Sequence, residues 1–247
     1  MIRFFSTIRY RLIDEGRASQ YLGYAAGEVL LVILGILIAL QINNWNETRK
    51  AVENSRTLLS EFRKDLATDV GGIERVVLLL QKSTEMEAAV LRDVDYSQAD
   101  AEILRRVFLT TVHQEFIQDR TFKQLQNSPN PTMAGFPELQ NQLTYYYTDQ
   151  RFLMDWYNRQ EEDFLGEFDT LDVLRQTFEV PLPNFPLRVS ENEQNEILIG
   201  YAQTVAGRNF VKQNYLRRTA MIEIFGGVRD EAKALISQID SQLDSED

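Results

Sequence analysis

"RTLLSEFRKDLATDVGGIERVVLLLQ", residues 56 to 81, carries Leu59, Phe62, Leu66, Ile73, Val76 and Leu80 at steps of three and four, with one seven-residue gap between Leu66 and Ile73. That spacing places apolar side chains on one face of a 3.6-residue helix, whereas a half-buried strand needs alternation by two. It predicts a long amphipathic helix in which Gly71-Gly72 is placed to introduce a kink. No persuasive strand alternation, hairpin signal or internal repeat occurs elsewhere, so the fold class read from the sequence is all-α.

Upstream, "GEVLLVILGILIALQINNWNE" (27 to 47) holds an uncharged run from Val29 to Ile42. Alone it is too short to cross roughly 30 Å of hydrocarbon; extended back to Tyr21 it reaches about 22 residues, enough for one transmembrane helix over 21–44. The extension includes Glu28. Tyr21 and Tyr24 at one end and Trp45 at the other stand where interfacial aromatic anchors form. A secretory signal peptide is the competing reading, but "IALQINNWNE" lacks a small-x-small cleavage pattern, and the segment is expected to remain as an anchor.

Within this span Gly23, Gly27, Gly35 and Ala39 recur at multiples of four, interrupted by Leu31, leaving one face nearly bare of side chains. Such a ridge permits close helix approach and points to self-association. Glu28 lies beside it, and an intramembrane carboxyl there snorkels to the interface, bonds across an oligomer, or serves an ion path. The residues before it, 1–20, place Met1, Phe4, Phe5, Ile8 and Leu12 on one stripe, as in a helix lying in the membrane interface.

"FFSTIRYRL", "YLGYAAGE" and "GEVLLVILGILIALQINNWNE" together resemble the amino-terminal signature of an uncharacterised family of single-pass membrane proteins from Bacteroidetes. The resemblance extends more loosely to "TFKQLQNS" and "LQNQLTYYY", where Pro129 and Pro131 follow Ser128 in place of that family's glycine. It implies a single-pass anchor with a helical domain, and no activity or site residues.

Residues 1–50 hold six Lys/Arg against four Asp/Glu, so the net −11 of the chain is concentrated downstream. An acidic domain is repelled by phosphate backbones, which argues against nucleic acid. There is no cysteine, which excludes disulfides, zinc thiolates and thiol nucleophiles. Lys/Arg numbers flanking the span are similar, so orientation rests on the tendency of a long carboxy-terminal domain to translocate regardless of charge. That places the protein in the inner (cytoplasmic) membrane with its acidic domain periplasmic.

Downstream, Ile103, Leu104, Val107, Phe108 and Val112 suggest a second helix entered from "DYSQAD", and "NSPNPTMAGFP" then breaks the chain. Leu139, Leu143, Tyr146, Tyr147, Leu153, Met154 and Tyr157 form a further stripe, continued by Phe164, Phe168, Leu171 and Leu174. The aromatic cluster in "YYYTDQRFLMDWY" could form a ligand-stacking surface, but core packing accounts for it better. A Pro-rich break covers 180–189. Ser190 and Glu193 then form a capping box before Ile197, Tyr201 and Val205. Phe225, Val228, Ala232, Leu235, Ile239 and Leu243 alternate threes and fours, with Gly226-Gly227 expected to interrupt that closing helix. The domain at 45–247 is therefore read as a stalk and a bundle of about four to six helices.

His113, the only histidine, has Glu115 and Asp119 nearby in sequence, but on a helix neither shares its face, so a solvated or capping role is expected. Glu161-Glu162-Asp163 and the pair Asp65 and Asp69 are read as solvated faces. No phosphate-binding loop, nucleophile elbow or metalloprotease motif is present, so no enzymatic activity, catalytic residue, metal or cofactor is expected. The leading expectation is a membrane-anchored interaction or scaffold protein that homo-oligomerises and binds an unidentified protein partner, with membrane lipid around its span. The alternatives are an extracytoplasmic small-ligand sensor acting through a partner, and an ion-conducting or membrane-disrupting oligomer that uses Glu28.

Overall fold

The computed structural model describes residues 18–167, 177–179, 182 and 184–244, and every regular element among them is helical. Residues 1–17 of the expected interfacial segment at 1–20, together with Phe168, Leu171 and Leu174 and part of the 180–189 break, lie outside the described residues. Two compact units divide between Ser55 and Arg56.

The first unit, Met1–Ser55, consists in its described part of the beginning of α1 (Ala18–Arg92). Its most apolar 18-residue window has a mean hydropathy of 2.4, none of it buried, so the helix is long and apolar enough to cross a membrane. At the polar edge of this window Asn43 Nδ2 donates to Glu47 Oε1 at 2.8 Å, and Thr48 Oγ1 donates to the Asn44 carbonyl at 2.9 Å.

The second unit, Arg56–Asp247, is a bundle. The rest of α1 buries Leu59, Phe62, Leu66, Ile73, Val76, Leu80 and Val90 along one seam. After a 3₁₀ turn (Gln98–Asp100) come α2 (Ala101–Phe108), an extended segment at 109–119, α3 (Arg120–Gln126) and α4 (Pro137–Tyr145). A π turn (Tyr146–Gln150) joins α4 to α5 (Arg151–Glu167), and α6 (Glu191–Ala202) precedes the closing α7 (Val205–Asp244). The pairs Arg63–Asp240, Glu74–Lys233 and Glu87–Arg218 show that α7 runs antiparallel to α1.

The helix boundaries have local causes. Ser97 and Asp100 form a capping box at the 3₁₀ turn, and the expected box of Ser190 and Glu193 opens α6. The last carbonyls of α1 are held by Arg208, which donates to Asp93 O at 2.5 Å and Leu91 O at 3.1 Å, satisfying acceptors that a helix end leaves unpaired. The short α3 has no cap of its own; Asp65, from α1, accepts Thr121 N at 3.0 Å instead.

Three expectations are corrected. Gly226-Gly227 does not interrupt α7, which continues through it; α1 is likewise one helix through Gly71-Gly72. Gly72 serves packing, since the Glu115 carboxylate sits where a Cβ would lie within 2.5 Å of it. The second helix stops at Phe108, leaving Val112 on the extended segment and exposed. In α6 the buried positions are Gln194, Leu198 and Ala202; Val205 is exposed and already opens α7.

The aromatic cluster divides between core and surface. The π turn directs the adjacent Tyr146 and Tyr147 both inward, in edge-to-face contact, with Phe122 stacked on Tyr147. Tyr145, Phe152 and Trp156 remain exposed.

Candidate functional site

The buried seam of α1 continues through its apparent gap. Leu66, Asp69 and Ile73 stand at successive steps of three and four, and Ser83 and Glu87 fill the same register between Leu80 and Val90. On α7 the series Val211, Asn214, Arg218, Met221 and Phe225 follows the same steps, and α5 contributes Met154, Asn158 and Glu161. Polar side chains thus occupy core positions on three helices, and they meet.

At the centre is Arg218, 1% exposed. It donates to Glu87 Oε1 of α1 at 2.6 Å and to Glu161 Oε1 of α5 at 3.0 Å. On the extended segment it reaches Thr110 Oγ1 at 2.9 Å and the Thr111 carbonyl at 3.3 Å. The neighbouring Arg217 donates to Glu161 Oε2 and to Asn214 Oδ1, and its guanidinium lies over the Phe164 ring, 4.0 Å from the centroid. Asn158 donates to the Glu115 carbonyl at 2.7 Å, and Gln114 donates to the Asn158 carbonyl at 2.9 Å, fastening the extended segment to α5. Two carboxylates and two guanidiniums therefore neutralise one another inside the bundle, the condition on which buried charge is tolerated. Satisfaction is incomplete, since Glu87 Oε2, Asn158 Oδ1, Asn214 Nδ2 and Arg217 Nη1 have no partner among the described residues.

Burial shifts the ionisation of this layer. It raises the Glu87 carboxyl to about 7, against the opposing pull of Arg218. It pushes the Arg217 guanidinium down against Glu161.

A second buried acidic site lies along α1. Asp65 accepts from Thr121 N and Oγ1 and from Arg120 at 3.1 Å, while Asp69 accepts from Gln118 N at 2.8 Å and Tyr146 OH at 3.1 Å. Burial raises the Asp69 carboxyl to about 7, with its two hydrogen bonds opposing and Asp65 and Glu115 reinforcing the rise. Asp65, Asp69 and Glu161 are therefore not the solvated acids that composition suggested. Their hydrogen-bond donors come from remote segments, so sequence neighbours could not reveal them; Glu162 and Asp163 are exposed, as read.

His113 lies on the extended segment, not on a helix. Its Nε2 is 3.1 Å from Ser83 Oγ, and burial, then Arg218, holds its pKa below the ordinary histidine range, with Glu161 opposing. The expected solvated or capping histidine is instead a half-buried partner of α1. Glu115 turns to Gly72, and Asp119 pairs with Lys123 at 2.8 Å and with Arg151. Among the described residues no group of three or more His, Asp or Glu side chains is arranged to hold a metal.

The residues singled out in the apolar helix lie apart from this network. A Cβ added to Gly23, Gly27 or Gly35 would meet nothing within 4 Å, and Ala39 is exposed. Glu28 and Tyr24 are half-buried and engaged with neighbours, Trp45 is 65% exposed, and the Tyr21 side chain lies outside the described residues.

Residues 28–117 match a family of unknown function, DUF6090. The matched stretch contains Glu28, Asp65, Asp69, Ser83, Glu87 and His113, whereas Glu161 and Arg218, which complete the buried layer, lie beyond it. No curated protein and no solved structure matches the chain.

Proposed function

We propose that this protein is a membrane-anchored helical interaction protein that assembles with copies of itself through its apolar helix and presents the acidic bundle to a protein partner. The supporting observation is the fully exposed apolar stretch of α1, whose Gly23, Gly27 and Gly35 positions are open to a second helix. Bilayer lipid satisfies the apolar side chains, and the small residues allow backbones to approach closely. Residence in the inner membrane, a periplasmic bundle and the absence of a catalytic step belong to the same reading. The test is Gly27→Leu in the full chain, with mass measured by light scattering after correction for bound detergent. A shift from oligomer towards monomer supports assembly through the span; unchanged mass removes that part of the proposal.

A further inference from the structure

Beside the buried layer, α1, α2 and the beginning of the extended segment line an open groove of about 320 Å³. That volume is about ten waters' worth of space and stands at the lower end of small-molecule sites. Leu79, Met86 and Leu109 form apolar walls, and Leu79 is 46% exposed, so this surface is open to an apolar occupant. Lys82 and Arg106 supply two cations, and no carboxylate lines the groove, on a chain whose net charge is −11.

The two cations differ in availability. Lys82 has no partner among the described residues. The Arg106 Nε donates to Glu102 at 2.9 Å, while its terminal nitrogens have no partner among those residues. Ser83 and His113, 3.1 Å apart, add hydrogen-bonding groups, and Arg218 lies behind Thr110 with its charge balanced by Glu87 and Glu161.

We propose that this groove binds a small organic monocarboxylate with a short apolar tail, its carboxylate at Lys82 and Arg106 and its tail against Leu79, Met86 and Leu109. Three apolar walls favour a tail over an inorganic anion. One unpaired lysine and one arginine already shared with Glu102 suit a single negative charge better than a dianion. The inference does not depend on assembly through the apolar helix.

Because His113 is the only histidine, histidine-labelled full-length protein in nanodiscs gives one set of ring resonances in the groove. Hexanoate should shift these resonances saturably, whereas hexylammonium and inorganic phosphate should not. Lys82→Glu with Arg106→Glu should weaken hexanoate binding roughly tenfold or more, the effect of losing a charge-assisted contact, while Arg63→Glu outside the groove leaves it unchanged. If the charge reversal lowers helicity, Lys82→Gln with Arg106→Gln replaces it. No saturable shift, equal binding of hexylammonium, or binding indifferent to the paired variant overturns the proposal.

Discussion

Arg218 joins α1, α5, α7 and the 109–119 segment through one guanidinium. Removing it leaves Glu87 and Glu161 buried without their shared cation, so Arg218→Leu is expected to cost roughly 3–5 kcal/mol in urea unfolding. Replacing Glu87, Glu161, Arg217 and Arg218 together by leucine should recover most of that loss, because an apolar layer then carries no uncompensated charge. Asp69 gives a pH signature. Its folded pKa of about 7 lies above the ordinary aspartate value of 3.8, so its contribution to stability is fully present below the unfolded value and is lost as pH rises through about 7. Between pH 8 and 6 thermal stability should therefore rise on acidification, with Asp69 supplying about 1 kcal/mol, and Asp69→Asn should remove that share of the slope. The acids were visible in sequence, but their burial was not: Asp69 fills the gap between Leu66 and Ile73, and an unbroken step of three and four was the available signal.

Among the helices, the glycines separate by what surrounds them. A Cβ at Gly207 would meet the Tyr201 carbonyl at 2.2 Å, so this glycine permits the tight passage from α6 into α7. Gly226 and Gly227 lie within α7 with nothing within 4 Å of an added Cβ. Gly207→Ala is expected to destabilise by about 1–3 kcal/mol through overpacking, and Gly226→Ala to stabilise by about 0.5–1 kcal/mol through helix propensity. Thermal melts of the two variants moving in the same direction would contradict this account. Helix type and approximate length were legible from periodicity, as was the Ser190 capping box. Continuity of α7 through Gly226-Gly227 was not, because propensity costs of about 1 kcal/mol per glycine are overridden when flanking turns bury a continuous seam.

For the whole chain, the first consequence to measure is sidedness. Ser241 is exposed on α7 and the sequence contains no cysteine, so Ser241→Cys provides a single labelling position. A thiol reagent that passes outer-membrane pores but not the inner membrane should label it in intact cells if the bundle is periplasmic; labelling only after lysis places the bundle in the cytoplasm. The all-α class, the single apolar helix and most seam positions follow from residue spacing alone, because helix periodicity is a local property of the chain. Which acids are buried, which arginine neutralises them and where His113 lies follow only from three-dimensional packing. Glu87 and Arg218 are separated by 131 positions, and Asp65 and Thr121 by 56, so their burial becomes favourable only when folding brings opposite charges, donors and acceptors together.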